Sequence, residues 1–465
     1  MIYDFLTLKK HADTPLYVQL YSAVKNAIEN GALKQGEKLP SIRRLSEDLA
    51  LSRTTVENAY QQLCTEGYIK SMPQRGFFIQ SPPYPGMENT KVQKPVTYPT
   101  RFHNIIKYDF SSKSVDVSNS NLKLWRKYVR NVINCDYLIT SYGNPQGELE
   151  LRRALASYCY GVRGVQGDER NIVIGAGTQS LLYLICGLLH ACGSTVAVEA
   201  DGSAHAMQVF SDCGMHVVTV GSDCDGIVPD ALKASGARLL LINPSGSLRT
   251  GNHIKMNRRY ALLRWAEAHD AYIIEDDYNG ELRYKTRPIP ALQGYDSRHV
   301  IYLGSFSKLL LPSVRIGYAV LPEALSARFS ERAGRYNQTA SKAEQLALAK
   351  YISDGQLERH LRRLRKQYHE KSLLLCEALQ ECLPCNINIT LLETALTVVV
   401  ELPFEIDGQT LYRSLLEQGV RIIQGKRCGR SFKLGFSGIP CDKIRPAVEM
   451  IADTIKKHIQ QTDVL

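Results

Sequence analysis

Residues 303–322, LGSFSKLLLPSVRIGYAVLP, carry side chains that can form a covalent bond and bind a phosphate group. Ser305 and Ser307 follow an apolar run, Lys308 comes next, and Arg315 lies seven residues further on. The amine of a lysine is a nucleophile towards carbonyl groups. Hydroxyls and an arginine suit a phosphate, because the planar guanidinium donates two parallel hydrogen bonds. A surface lysine after a strand would look similar, so the segment gains weight only beside further groups.

A carboxylate is placed at the end of a second apolar run. Residues 272–278, YIIEDDY, indicate a buried strand that ends in acidic side chains. We expect the Asp276 carboxylate to keep the nitrogen of a bound pyridine ring protonated, and Tyr278 to hydrogen-bond a hydroxyl group on that ring. Acidic residues at strand ends also cap helices or lie in solvent, so this spacing alone is ambiguous.

A glycine turn supplies the remaining groups. Residues 174–180, IGAGTQS, read as a strand, a turn and a helix start, so the backbone N–H groups of Gly177, Thr178 and Gln179 could bind a phosphate. A plain strand-to-helix turn would look alike. Taken together, an amine, a phosphate site and a carboxylate match the needs of pyridoxal 5'-phosphate (PLP).

The elements around these groups predict an α/β fold. From about residue 108, helical patterns alternate with short apolar runs, which is typical of a mainly parallel sheet covered on both faces. The predicted strands are 172–176, 195–200, 216–220, 238–243, 271–277, 299–305 and 315–321. After about residue 325 the pattern becomes helical, and strands at 394–402, 421–425 and 432–436 indicate a smaller α+β subdomain.

The first 80 residues predict a separate DNA-binding head. A helix from about Pro15 to Asn30 precedes a second helix, a tight turn at Ala50, and a third helix capped by Ser52. Arg53, Thr54 and Thr55 would lie exposed in the first turn of that third helix, where a recognition helix meets the major groove. A β-wing carrying Arg75 follows. A helical domain that binds only proteins is the alternative.

Composition narrows the class without deciding it. The net charge is +11, yet residues 1–80 hold ten basic and eight acidic side chains, and the basic run 359–371 has the spacing of a solvated helix face. We expect the twelve cysteines to be reduced and the lone pair Cys382 and Cys385 to bind no metal. No apolar run is long enough to span a membrane and no signal peptide is recognised, so a cytoplasmic protein is expected.

Two resemblances follow from these segments. Residues 15–80, with LPSIRRLS, LSRTTV and GYI…RGFF, resemble the GntR-type winged helix-turn-helix. Residues from about 108 to 460 resemble a fold-type I aminotransferase, and YGNPQGELELRRALASY behind such a head is similar to the MocR family of GabR-like regulators. The fold expected is therefore multidomain: an α+β head at 10–80, a Pro/polar linker at 81–107, and an α/β PLP domain at 108–461 with a small subdomain from about 325.

The resemblance also implies roles for residues. PLP would form a Schiff base with Lys308, and the resemblance implies a head-to-tail homodimer in which Tyr142 reaches the partner subunit's cofactor. The implied cofactor contacts are Asp276, Tyr278, Gly177, Thr178, Gln179, Ser305, Ser307 and Arg315. The implied contacts to double-stranded operator DNA are Arg43, Ser52, Arg53, Thr54, Thr55, Arg75 and Gly76.

Departures from the aminotransferase pattern concern the substrate. Ser203 occupies the position of the aromatic residue that stacks on PLP, unless His205 replaces it, and Arg249 replaces a proline. Lys433 stands where the family presents an arginine to the ligand carboxylate, and lysine lacks the bidentate fork. We therefore expect a regulator that senses a small amine, an amino acid or PLP. A working aminotransferase and a cofactor-free scaffold are the alternatives.

Overall fold

A computed structural model describes residues 8, 14–80, 106–112, 114–116, 122–189, 195–199, 202–246, 253–277, 279–285, 288–383, 386–424 and 429–462. The chain divides into two compact units, residues 1–101 and 102–465. Most of the predicted linker, residues 81–107, lies outside the described residues. No helix in the described part of the chain is long and apolar enough to cross a membrane.

The head unit contains three helices and a hairpin. They are α1 (Leu16–Glu29), α2 (Ile42–Asp48), α3 (Arg53–Thr65), β1 (Ile69–Met72) and β2 (Gly76–Ile79). Leu20 and Val24 of α1 pack with Val56 and Leu63 of α3, because apolar residues at helical spacing share one face. The predicted winged helix-turn-helix is confirmed. Both ends of the first helix lie within one residue of the predicted positions.

The wing has a partner that the sequence does not indicate. β1 and β2 pair antiparallel with Ile69 opposite Ile79. Lys38 forms an isolated bridge with Phe78, and the N–H of Leu39 donates to the Phe77 carbonyl at 2.9 Å. The segment before α2 is thus hydrogen-bonded to the edge of the hairpin through a single isolated bridge.

The second unit is built on a seven-stranded sheet. Its strands are β4 (Ile172–Gly175), β5 (Thr195–Glu199), β6 (His216–Val220), β9 (Leu239–Ile242), β10 (Tyr272–Asp276), β11 (Val300–Ser305) and β12 (Gly317–Val320), with β3 (Tyr108–Asp109), β7 (Ser222–Asp223) and β8 (Gly226–Ile227) outside it. Their order is β4-β12-β11-β10-β9-β5-β6. Only β12 pairs antiparallel with its neighbours, so the predicted mainly parallel sheet is confirmed.

Helices cover this sheet. They are α4 (Leu122–Ile133), α5 (Asp136–Ile139), α6 (Leu149–Arg163), α7 (Thr178–Leu189), α8 (Ala204–Asp212), α9 (Pro229–Ala234), α10 (Met256–Ala268), α11 (Glu323–Arg332) and α12 (Lys342–Ser353). Two buried clusters on the sheet contain alternate residues of single strands: Ile274 of β10 lies in one and Ile273 in the other. Because successive strand residues point to opposite faces, both faces of the sheet are covered.

The C-terminal part forms the smaller subdomain. It contains α13 (Gln356–Cys382), β13 (Asn388–Leu392), β14 (Thr397–Ile406), α14 (Gly408–Glu417), β15 (Val420–Arg421), β16 (Gly429–Gly435) and α15 (Cys441–Thr462). The order β13-β14-β16 is antiparallel throughout. β15 pairs parallel with β3, so the residues directly after the linker belong structurally to this end of the chain.

The charged run in α13 departs from the prediction of a solvated face. Arg362 and Arg363 are exposed, as expected. His360 is buried, however, and Lys371 has 0% of its surface exposed. The Lys371 amine lies 2.8 Å from the Asp116 carboxylate, an ion pair that compensates its burial. The nine described cysteines form no disulfide with one another, and the described residues contain no cluster suited to a metal.

Candidate functional site

Lys308 lies three residues after the end of β11 and is only 7% exposed. Its Nζ donates to the carbonyl oxygens of Ser112 and Ser114, the latter at 3.3 Å, and to the Ser437 hydroxyl at 3.3 Å. Burial lowers the pKa of this amine to about 8, although the Asp109 carboxylate acts in the opposite direction. A lowered pKa leaves more of the amine neutral, which is its nucleophilic form.

The predicted phosphate contacts meet where three strands end. Ser305 of β11 lies opposite Gly317 of β12, which in turn lies opposite Gly175 of β4. The Arg315 guanidinium lies against Gly177: a Cβ on that glycine would stand 2.8 Å from Nη2. Gly177 also has φ +89°, a backbone conformation that residues with a side chain rarely adopt. Glycine is therefore required there both by the backbone and by the arginine.

The turn before α7 differs from its prediction in one respect. The N–H of Gly177 donates to the Gly175 carbonyl at 2.8 Å, so it is not the free donor that the sequence predicts. Thr178 and Gln179 begin α7, where N–H groups have no intrahelical acceptor. The hydroxyl of Ser305 donates to that of Ser307 at 3.2 Å. Two amides, two hydroxyls and one guanidinium remain as candidate phosphate donors.

The two acidic residues at the end of β10 have opposite environments. Asp277 is buried and forms an ion pair with Arg163 at 2.8 Å, and the Tyr302 hydroxyl donates to it at 2.7 Å. The sequence analysis missed this arrangement, because Arg163 lies more than a hundred residues earlier. Alternation along the strand directs Asp276 to the other side. The ion pair of Asp277 therefore fixes the strand end that presents Asp276.

Asp276 lacks a compensating partner among the described residues. Burial, and then the neighbouring charge of Asp277, raise the pKa of its carboxyl to about 7. It lies opposite Leu303 of β11, the strand that leads to Lys308. Asp276 is half-buried by its exposed surface, and a protonated pyridine nitrogen is the kind of group that would offset its desolvated carboxylate, so the site fits PLP. Tyr278 lies outside the described residues.

The residues expected to contact the bound amine or amino acid, which we call the ligand side, provide fewer suitable groups than the cofactor contacts. The Ser203 hydroxyl caps α8 by accepting from the N–H of Ala206 at 3.4 Å, so its side chain provides no stacking surface. His205 is exposed in the first turn of α8. Lys433 lies on the face of β16 opposite the buried Phe432, and Arg249 lies outside the described residues. Tyr142 is 98% exposed in the single chain.

The predicted DNA contacts cluster at the start of α3 and in the wing. Arg53 and Thr54 are exposed, whereas the Ser52 hydroxyl lies 2.7 Å from that of Thr55 and accepts from its N–H at 3.1 Å. Ser52 thus serves as a cap, and the helix N-terminus stays open to a phosphate. Arg43 is exposed and pairs with Glu47 at 3.1 Å.

The wing adds a cation that the sequence analysis missed. Arg75 is exposed and lies over the Phe78 ring at 5.9 Å. Gly76 has φ +101°, and a Cβ there would stand 3.2 Å from the Lys38 side chain. Lys38 is exposed and its amine lies 6.0 Å from the centre of the same Phe78 ring, although it precedes Arg75 by 37 positions. Its position just before the second helix was the signal that could have indicated it.

Comparison with known proteins finds a separate family match for the head and for the second unit. Residues 16–79 match the bacterial regulatory proteins of the gntR family, and residues 112–451 match aminotransferase class I and II. The chain is 34% identical to the uncharacterised HTH-type transcriptional regulator YdeL of Bacillus subtilis, over 96% of this chain and 97% of YdeL. It is 30% identical to the probable rhizopine catabolism regulatory protein MocR of Rhizobium meliloti, over 89% and 87% of the two chains.

A solved structure extends the comparison to the fold. The kynurenine aminotransferase of Pyrococcus horikoshii, in complex with PMP, aligns with a TM-score of 0.65 at 25% identity. The alignment covers 76% of this chain and 91% of that enzyme. The part left uncovered is about the size of the head unit and the linker together.

Proposed function

We propose that this chain, which belongs to the MocR family with its gntR head and aminotransferase class I and II domain, is a PLP-dependent transcription regulator. The observation that carries the proposal is the presence in one chain of a capped recognition helix and of a buried lysine just after the strand that pairs with Asp276, whose carboxylate has no partner among the described residues. The finer proposal is that the site at Lys308 senses a small amine, an amino acid or PLP itself.

The cofactor of the second unit is PLP, as the aminotransferase class I and II fold implies. When bound, PLP supplies an aldehyde that condenses with a primary amine, forming one C=N bond while the aldehyde oxygen leaves as water. We assign the amine to Lys308, the ring-nitrogen contact to Asp276 and the phosphate contacts to Arg315, Ser305, Ser307 and the start of α7. Asp277 and Arg163 hold the strand end in position.

The head binds DNA, and we assign the base contacts to Arg53 and Thr54 and the wing contacts to Arg75 and Lys38. Arg53→Ala should weaken operator binding by roughly 1–3 kcal/mol if the arginine reads a base edge. Lys34→Ala, an exposed lysine after α1, is the control. Fluorescence anisotropy with the promoter fragment upstream of the gene measures both, and unchanged affinity in Arg53→Ala would contradict the assignment. A DNA target also favours a cytoplasmic location.

A homodimer is part of the proposal. Four large apolar side chains are exposed within ten residues, Tyr142 almost completely: Ile133, Tyr137, Ile139 and Tyr142. Such a concentration on a surface favours a protein–protein contact. We infer that a second copy covers it and that Tyr142 contacts the partner's cofactor. Two copies would also provide two heads for two operator half-sites.

The sensing function is tested by titrating amines and amino acids against the cofactor absorbance with the promoter fragment present. A ligand that binds two arrangements of the protein unequally must change DNA affinity when it changes the absorbance. Coupled changes in both signals are expected. Ligand-induced absorbance changes with constant DNA affinity would contradict the regulator.

An aminotransferase remains the second candidate, because the candidate cofactor contacts are retained. Ser203 and Lys433 weaken it, since neither reproduces the aromatic stack or the bidentate fork. Multiple turnovers with an amino acid and a keto acid would favour the enzyme. A single stoichiometric exchange, or none, would favour the regulator.

A further inference from the structure

Residues 108–112 and 114–116, which we call the strap, follow the predicted linker and are anchored at their first end to the small subdomain. β3 pairs with β15, and the N–H of Phe110 donates to the Arg421 carbonyl at 2.7 Å. The Phe110 carbonyl accepts from the N–H of Gly435 at 2.8 Å, and the ring is fully buried. The strap therefore starts from a fixed point.

The second end of the strap is anchored by a buried ion pair. The Asp116 carboxylate lies 2.8 Å from the Lys371 amine and accepts from the Gln367 amide at 2.9 Å. The N–H of Asp116 donates to the Ser437 carbonyl at 2.8 Å. Because both charged groups are removed from water, breaking this contact is costly.

Between its anchors the strap binds the amine of Lys308. A protonated lysine has three N–H donors. It finds three acceptors here: the carbonyl oxygens of Ser112 and Ser114 and the hydroxyl of Ser437. All three N–H donors of the amine are thus used by the protein, and two of the three acceptors are backbone carbonyls of the strap.

The strap holds Ser112 in an unfavourable conformation. Ser112 has φ +57°, which costs free energy for a residue with a Cβ. Its hydroxyl is buried without a hydrogen-bond partner. It is also crowded by β16, since a Cβ on Gly435 would stand 1.7 Å from it. Such a conformation persists only when surrounding contacts impose it.

We propose that the strap is a latch that competes with PLP for the amine of Lys308 and transmits the outcome to the linker. The inference rests on the proposed function of Lys308. A nitrogen bonded to the cofactor carbon keeps at most one N–H, so it cannot serve three acceptors. Ser114 retains a donor in the Ser437 hydroxyl at 2.9 Å, whereas Ser112 loses the amine. Ser112 is then released towards an ordinary conformation, and the strap shifts next to the linker.

Two variants should change PLP affinity in opposite directions. A glycine at position 112 adopts φ +57° without strain, and Ser112→Gly also removes the unpartnered hydroxyl. The substitution therefore stabilises the latched state, in which the strap carbonyls accept hydrogen bonds from the Lys308 amine, and the Kd for PLP rises about fivefold. Asp116→Asn removes the charge that anchors the strap. The latched state therefore becomes less stable, and the Kd for PLP falls about threefold. Glu381→Gln, in an exposed ion pair with Arg445, is the matched control and should leave the Kd unchanged.

The experiment titrates PLP into the full chain, following cofactor absorbance and operator affinity together. Opposite shifts in Kd, with the PLP concentration that half-changes operator affinity moving by the same factors, would support the latch. Weaker PLP binding in both variants, or unchanged binding, would overturn it and leave the strap a scaffold. If Asp116→Asn fails to fold, Ser112→Gly decides alone, and a Kd that stays equal or falls refutes the proposal. A wild-type protein that binds no PLP would instead contradict the proposed function itself.

Discussion

The candidate site has two sides whose completeness differs. On the cofactor side, Arg315 lies against Gly177, where a side chain would strain the backbone and displace the guanidinium, and Asp276 projects from a strand end fixed by Asp277. On the ligand side, Ser203 is used as a helix cap and Lys433 offers a point charge. The first side is organised to hold one particular molecule.

This difference separates holding a cofactor from processing a substrate. Turnover needs a substrate fixed in a reactive geometry, which bidentate contacts provide. Sensing needs only a difference in affinity between two states of the protein. A pocket that retains its cofactor contacts and relaxes its substrate contacts suits the second task.

The largest expected effect comes from the amine itself. Lys308→Ala should abolish the covalent cofactor absorbance completely, because no other described lysine lies at the end of β11. Basal DNA binding should persist, since the head forms a compact unit separate from the one that contains Lys308. Spectroscopy and anisotropy on the same sample measure both. Retained covalent absorbance would show that the cofactor side has been placed wrongly.

The two aspartates at the end of β10 offer a matched pair. Asp277→Asn leaves the buried Arg163 without its counter-charge and should cost about 3 kcal/mol in the free energy of unfolding. Asp276→Asn should leave the cofactor-free stability at pH 8 unchanged or higher, because the half-buried, partly desolvated carboxylate has no partner among the described residues. It should instead weaken PLP binding by about 2 kcal/mol. Denaturant unfolding and PLP titration test this, and reversed roles would refute our choice of Asp276.

The ligand side can be strengthened by one substitution. Lys433→Arg restores the planar fork and should tighten binding of amino acids about tenfold. An aliphatic amine without a carboxylate should bind as before and serves as the control. Calorimetric titration of the PLP-loaded protein distinguishes the two ligands. Equal changes for both would mean that Lys433 does not face the ligand carboxylate.

The last prediction concerns the pH dependence of PLP attachment in the unchanged protein. Burial lowers the pKa of Lys308 from 10.5 to about 8, so the neutral amine dominates above about pH 8. The rate of PLP attachment should rise about tenfold per pH unit below that value and level off above it. An exposed model amine, which titrates at its ordinary pKa, should keep accelerating to higher pH. A protein rate that follows the model amine would show that Lys308 is not desolvated.

The sequence was sufficient for elements whose signals are local. Strand alternation, a serine cap and a glycine turn depend on neighbouring residues. They predicted the sheet and the helix that Ser52 caps, and they placed Asp276 at the end of a strand. Contacts between distant segments were not accessible: Asp116 and Lys371 are 255 positions apart, and Lys371 sits in a charged run whose basic spacing predicted a solvated helix face. The amide of Gly177 was assigned as a free donor because the local turn that occupies it has no sequence signature.

The central claim is that PLP bonds to Lys308, and chemical trapping tests it most directly. The full chain is incubated with PLP, reduced with borohydride, digested and mapped by mass spectrometry. We predict a pyridoxyl-phosphate adduct on the peptide containing Lys308 and its absence in Lys308→Ala. An unlabelled protein, or a label confined to other lysines, would contradict the account.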